Sequence, residues 1–245
     1  MQKINFITDI DNYESHFENF VIELIAWMYS EVHTTNHNHA MIDIGANIGI
    51  VTKILLDYID KHSGLVIAID AHPNWLDKFQ YVSHPLVQKY NIGCYSKKCT
   101  KSFIGQEELT GDGFIGMSPV KERLDLKKLK SFKINCDSLD NLIETDKHIS
   151  FIKIDAESAD FEVILGGEQL IRKHRPCIIF EFSGQIFEKA HAHTRDDFFK
   201  FFKDINYSLF SVGLGKSESQ ILENWDQYTL GFKDMLGVPT EYIDR

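Results

Sequence analysis

The chain has 245 residues, of which 43% are hydrophobic and 25% charged, with a formal net charge of −10. This is an ordinary globular composition, long enough for one large or two small domains around a proper core. The acidic balance excludes broad nucleic-acid binding, which needs surplus Lys and Arg to neutralise phosphates, and disfavours a polybasic membrane anchor.

No basic-then-apolar leader pattern opens the chain and no run of about 18 apolar residues occurs, so the expectation is a cytoplasmic protein without a membrane span. Cys94, Cys99, Cys136 and Cys177 show no C-x-x-C spacing and read as free thiols in a reducing compartment. Residues 12–33 place Phe17, Phe20, Val21, Leu24, Ile25, Met28 and Val32 at three- and four-residue intervals, which predicts an amphipathic helix. We take 1–35 as a helical extension packing on the body of the domain; the alternative is a homodimer contact. "HTTNHNH" (33–39) is a polar connector. No carboxylate or Cys accompanies its histidines, so no metal site is expected there.

The pattern then alternates. "AMIDIG" (40–45) predicts a strand, and 48–61 a helix with Ile48, Val51, Ile54, Leu55, Tyr58 and Ile59 on one face. "LVIAID" (65–70) is a second strand, 73–81 a short helix opened by Pro73, and "QKYNIGCY" (88–95) a third strand. Segment 100–120, with Gly105, Gly111, Gly113 and Gly116, breaks the alternation and reads as a hairpin or flap over the sheet edge. "KERLDLKKLK" (121–130) reads as a solvated helix face. "ISFIKID" (149–155) is the fourth strand, 159–174 a helix ending before Pro176, and "CIIFEF" (177–182) the fifth strand. "TRDDFFKFFKDI" (194–205) is an amphipathic helix, and "YSLFSVG" (207–213) and "YTLGFKDML" (228–236) are two late strands. Apolar strands alternating with helices predict an α/β domain with a mainly parallel sheet covered on both faces, and the late pair adds an antiparallel strand at one edge. No linker or internal repeat divides the chain, so 1–245 is read as one domain.

In such a sheet, ligands bind beyond the carboxyl ends of the strands. The turn after the first strand reads D-x-G-x-N-x-G through Asp43, Gly45, Asn47 and Gly49. A dinucleotide fingerprint counted from Gly45 needs glycines where this chain has Asn47 and Ile50, so the pyrophosphate pattern fails. Asp70 ends the second strand, where an acid accepts hydrogen bonds from both hydroxyls of a ribose. A ribose without a pyrophosphate points to S-adenosylmethionine; the bland alternative is that Asp43 and Asp70 only cap helices.

These blocks, "MIDIGANIGIVT", "VIAIDAHP", "CDSLDNLI" and "ISFIKIDAESADFEVILGGEQLIRKHRPCIIFEFSG", resemble in order the FkbM family of S-adenosylmethionine-dependent methyltransferases over roughly residues 40–184. The most diagnostic part is "IKIDAESADFEVILGG", where the family has I-K-I-D-x-E-G-x-E-x-x-x-L-x-G. Ser158 stands for the usual Gly and Asp160 for the usual Glu. Both changes are small, so the turn is expected to survive. The resemblance implies a class I methyltransferase, Rossmann-like fold with a seven-stranded, mostly parallel sheet, and O-methylation of sugars or polyketide-type hydroxyls. Residues 1–35 and 185–245 lie outside it and are the expected sources of specificity.

Methyl transfer needs the acceptor oxygen, methyl and sulfur held in line, with the acceptor's proton removed. Asp155 and Glu157 at the fourth strand's end are the candidate catalytic pair; one of them instead ties the turn to backbone N–H groups in the alternative reading. Glu181 in the fifth strand, with Ser183 beyond it, is a candidate for the acceptor side, since a Glu within "CIIFEFSG" is costly to bury unpaired. His72 is placed beside the cofactor's adenosine, and His191 and His193 in a loop toward the acceptor, with solvated loop histidines as the plainer reading.

The flap mixes Gln106, Glu107, Asp112, Ser118, Lys121 and Arg123 with few apolar residues, which suits a carbohydrate. Lys121 and Arg123 are candidates to hold the diphosphate of a nucleotide-linked sugar, or else simply solvate a loop. The expected acceptor is therefore a nucleotide-linked sugar or surface-glycan precursor, as in capsule or lipopolysaccharide. A polyketide-type hydroxyl, a non-catalytic binding module on the same fold and a nicotinamide oxidoreductase are the rivals.

Overall fold

A computed structural model describes residues 39–106, 114–115, 129–157, 159–183, 193–212, 221–222 and 232–243. In chain order its elements are β1 (His39–Ile44), α1 (Ile50–Tyr58), β2 (Leu65–Asp70), a 3-10 turn (Trp75–Asp77), β3 (Val87–Asn91), β4 (Gly93–Cys94), β5 (Cys99–Gln106), β6 (Phe114–Ile115) and β7 (Leu129–Asp137). Next come α2 (Leu139–Leu142), β8 (His148–Ile154), α3 (Asp160–Gly166), α4 (Glu168–His174), β9 (Cys177–Ser183), α5 (Arg195–Asp204), β10 (Tyr207–Val212), β11 (Ile221–Leu222), β12 (Phe232–Pro239) and α6 (Thr240–Ile243).

Among the described residues, eight strands make one sheet in the order β11-β10-β12-β9-β8-β1-β2-β3. From β3 to β9 every neighbour is parallel. β12 runs antiparallel between β9 and β10, so the antiparallel strand sits inside the edge, with β10 and the two-residue β11 beyond it. β10 pairs antiparallel with both of its neighbours in the sheet, β11 and β12.

The apolar strands predicted from sequence are buried because both faces are covered. One face holds Ile42, Ile44, Ile152, Ile154, Ile178 and Phe180 against Phe161, Ile164, Ile171, Phe198 and Phe202 of α3, α4 and α5. The other holds Met41, Val66, Phe151, Ile179 and Leu236 against Val51, Leu55 and Trp75. α5 opens on a capping box, with Thr194 Oγ1 accepting from Asp197 N and the Asp197 carboxylate accepting from Thr194 N.

Several expectations change in detail. The third strand, predicted over 88–95, divides into β3 of the main sheet and β4 of a second sheet. The helix over 159–174 divides at the Gly166–Gly167 pair, both poor helix formers. The helix over 73–81 shrinks to one 3-10 turn, because Trp75 is drawn wholly into the core, where its Nε1 donates to Asn47 O at 2.8 Å. The end of the basic run, Leu129 and Lys130, belongs to strand β7, whereas 121–128 lie outside the described residues. β7 alternates, with Ile134 and Cys136 buried and Lys133 and Asn135 exposed, and joins a second sheet in the order β4-β7-β5-β6. Cys99 faces Cys136 across this sheet, and the four cysteines are free. The predicted helix 12–33 and most of 107–128 lie outside the described residues. No helix of the described residues is long and apolar enough to cross a membrane.

Candidate active site

The turn between β1 and α1 is shaped by three consecutive odd positions with positive φ, Gly45 at 72°, Asn47 at 48° and Gly49 at 100°. A side chain at Gly45 is excluded twice over: its φ is left-handed, and a Cβ would stand 2.0 Å from the Asp155 carbonyl oxygen. Gly45 N and Ala46 N donate to Ile69 O at 2.9 and 3.2 Å, which lays the turn across the end of β2. There Asp70 completes it. Its Oδ2 accepts from Asn47 N at 2.9 Å and its Oδ1 from His72 N at 2.8 Å. Asp70 is 9% exposed. Burial pushes its carboxyl up, against the pull of those two N–H groups.

Lys153 fixes the turn from beneath. It lies within the apolar run of β8, its side chain only 4% exposed, and its amine is 3.5 Å from both Asp43 Oδ1 and Asp155 Oδ2. It donates to Gly45 O at 2.9 Å and Ile44 O at 3.2 Å. Asp43, with no exposed surface, also accepts from Thr52 Oγ1 at 2.6 Å, joining β1 to the first turn of α1. Burial alone would lower the Lys153 pKa, but the Asp155 and Asp43 carboxylates outweigh it and hold the amine charged. Sequence reasoning missed Lys153 and Thr52. The signal for the first was present, a lone cation between apolar neighbours in "ISFIKID".

Beyond the strand ends lies an acidic side. Asp155 is 44% exposed at the end of β8, and Glu157 two residues on takes φ 49°. Asp160, at the start of α3, closes this turn by accepting from Ala156 N at 3.2 Å, which is how the position tolerates Asp. Its Oδ2 is buried without a hydrogen-bond partner among the described residues, and burial with the nearby Asp155 and Glu181 charges pushes its carboxyl well up. Glu181 stands on β9 opposite Asp234 of β12, a residue sequence reasoning also passed over. Ser183 ends β9, paired with Phe232.

The other candidates separate. His72 is buried, its ring 5.6 Å from that of Phe103 and 5.9 Å from that of Phe132, so it packs the second sheet onto the end of β2. His193 sits over α3, with Nε2 3.2 Å from Glu162 Oε1 and its ring edge-on to Phe161. Lys121, Arg123 and His191 lie outside the described residues. Among the described residues, no group of three or more His, Cys, Asp or Glu is arranged to hold a metal ion.

These residues fit a nucleoside ligand better than a dinucleotide. Asn47 Oδ1 is buried in the turn with no partner among the described residues, an acceptor waiting for a donor. Gly49 supplies no side-chain cap to α1, and each Asp70 oxygen keeps a lone pair after its bond to backbone. Lys153, the cation nearest the turn, is already engaged by two carboxylates and two carbonyls. These acceptors suit ribose hydroxyls and an amine-bearing tail, and leave little for a pyrophosphate.

The pattern of the methyltransferase FkbM domain matches residues 43–211. Among solved structures, a methyltransferase FkbM from Methylobacillus flagellatus KT is similar at 12% identity and TM-score 0.48, over 96% of this chain and 59% of that one. This chain thus spans about 59% of the length of the Methylobacillus protein. A SAM-dependent methyltransferase from Aquifex aeolicus is similar at 12% identity and TM-score 0.41, over 95% of this chain and 96% of its own. A precorrin-6y C5,15-methyltransferase from Geobacter metallireducens is similar at 11% identity and TM-score 0.39, over 88% of each chain. No curated protein matches the chain.

Proposed function

The chain belongs to the FkbM methyltransferase family, and from that premise we propose that it is an S-adenosylmethionine-dependent O-methyltransferase acting on a sugar hydroxyl. The observation that carries the cofactor reading is the turn itself, Gly45, Asn47 and Gly49 laid over Asp70 by backbone hydrogen bonds. Asp70 would hold the ribose, and Asn47 Oδ1 a donor of the cofactor. When bound there, S-adenosylmethionine supplies an activated methyl group.

The protein's part is to position the acceptor and take its proton. Asp155 and Glu157 follow β8 and Glu181 lies near the end of β9, at the carboxyl edge of the sheet. Carboxylates accept hydrogen bonds from several hydroxyls at once, which supports a polyhydroxylated acceptor over an apolar one. For a nucleotide-linked sugar or surface-glycan precursor, Lys121 and Arg123 are the residues we assign to the diphosphate.

The test has two steps. Calorimetry should give binding of S-adenosylhomocysteine and none of NAD; binding of NAD alone would overturn the cofactor reading. Methyl transfer is then measured on nucleotide sugars beside hydrophobic alcohols. Turnover confined to the alcohols would remove the sugar.

A further inference from the structure

Asp234 and Glu181 are register partners in the antiparallel ladder of β12 and β9. Side chains directly opposite in such a ladder have Cβ atoms about 4.5–5.5 Å apart, and like charges there repel. The same face carries the rest of the site. Met41, Phe151, Ile179 and Leu236 share one core cluster, and counting two residues on along each strand brings Asp43, Lys153, Glu181 and Asp234 to that face. For β1, β8 and β9 that direction is toward the carboxyl ends. β12 runs the other way, so stepping back from Leu236 reaches Asp234 at the same edge. A polar row thus crosses four adjacent strands, from beneath the cofactor turn to the acceptor side.

We propose that Glu181 and Asp234 form a proton-sharing carboxyl pair whose Asp234 receives the proton of the acceptor hydroxyl. This rests on the methyltransferase function proposed above. Two carboxyls held opposite one another lose their protons in two separated steps, and the upper step leaves a carboxylate basic enough to take a proton near neutral pH and share it across the pair. Among the described residues, the charged groups that act on Asp234 are Glu181, Asp155 and Lys153. Burial and the Glu181 and Asp155 charges push its carboxyl up to about 7, with Lys153 opposing them. A base near the working pH is the efficient one. In the transfer the acceptor's O–H bond breaks and its proton bonds to an Asp234 carboxylate oxygen. The oxygen's electron pair makes the O–CH3 bond, while the electrons of the broken S–CH3 bond stay on sulfur. The proton then passes from Asp234 to solvent.

The first test needs neither cofactor nor acceptor. The full chain, labelled with 13C at its Asp and Glu carboxyls, is titrated by NMR. One Asp carboxyl should titrate near pH 7, vanish in Asp234→Asn and move to lower pH in Glu181→Gln. An Asp234 that titrates in the ordinary carboxylate range, or ignores Glu181→Gln, overturns the pair. The second test follows methyl transfer to the fastest acceptor of the panel against pH. Turnover in the wild type should fall as pH drops through the Asp234 titration. Asp234→Asn should lower turnover by about 100-fold or more and erase that acidic limb, with S-adenosylhomocysteine affinity within about twofold of wild type. Turnover retained with its acidic limb in Asp234→Asn overturns Asp234 as the proton acceptor. Failure of the wild type to bind S-adenosylhomocysteine would instead sink the methyltransferase function, and the NMR titration would still decide the pair.

Discussion

Lys153→Met is expected to destabilise the protein by about 3–5 kcal/mol, the cost of removing one partner from a buried ion pair. Met nearly matches the volume of Lys, so little of the loss comes from a cavity. What remains is the Asp43 carboxylate, without exposed surface and held only by the Thr52 hydroxyl. The Gly45 and Ile44 carbonyls lose a charged donor at the same time. Urea denaturation of the full chain measures this. Adding Asp43→Asn to Lys153→Met should restore part of the stability, because it neutralises the stranded charge. A loss below about 1 kcal/mol for the single change would mean that water reaches Asp43, contrary to its burial.

The same Lys separates what the sequence reveals from what it hides. β1, β2, β8 and β9 were legible almost to the residue, since strands covered on both faces must be apolar throughout and the intervening helices carry their own period. The class I methyltransferase sheet and the family followed from the same blocks. The glycine turn after β1 was legible because positive φ restricts the residue types that can build it. β7 was not, because its alternation begins inside a basic run and only the second sheet gives its apolar side something to cover. Trp75 turned a helical pattern into a single 3-10 turn by reaching Asn47, a contact between segments far apart in sequence. Lys153 and Asp234 have meaning only through strand register. Nothing local says that Lys153 lies beside Asp43 or that Asp234 stands opposite Glu181.

The cofactor side offers the other large effect. Asp70→Ala should weaken S-adenosylhomocysteine binding by roughly 1–3 kcal/mol, about 5- to 150-fold in Kd. Two losses combine: the acceptor for the ribose hydroxyls goes, and the Asn47 and His72 N–H groups are orphaned, which loosens the turn. Asp70→Asn separates them. It keeps one carbonyl oxygen but sets an NH2 against one backbone N–H, so it should bind more weakly than wild type with its shape nearly intact. The pH dependence has opposite signs for folding and for binding. Because burial raises the Asp70 pKa in the folded state, its ionised form opposes folding, and acidification through that pKa relieves the penalty. Ribose hydroxyls need the ionised form, so affinity should fall over the same acidification. Calorimetry at a series of pH values on wild type and Asp70→Asn measures both the loss and its slope. Affinity in Asp70→Ala within about twofold of wild type would show that the ribose is held elsewhere. The glycine turn would then be left with Asn47 as its binding group.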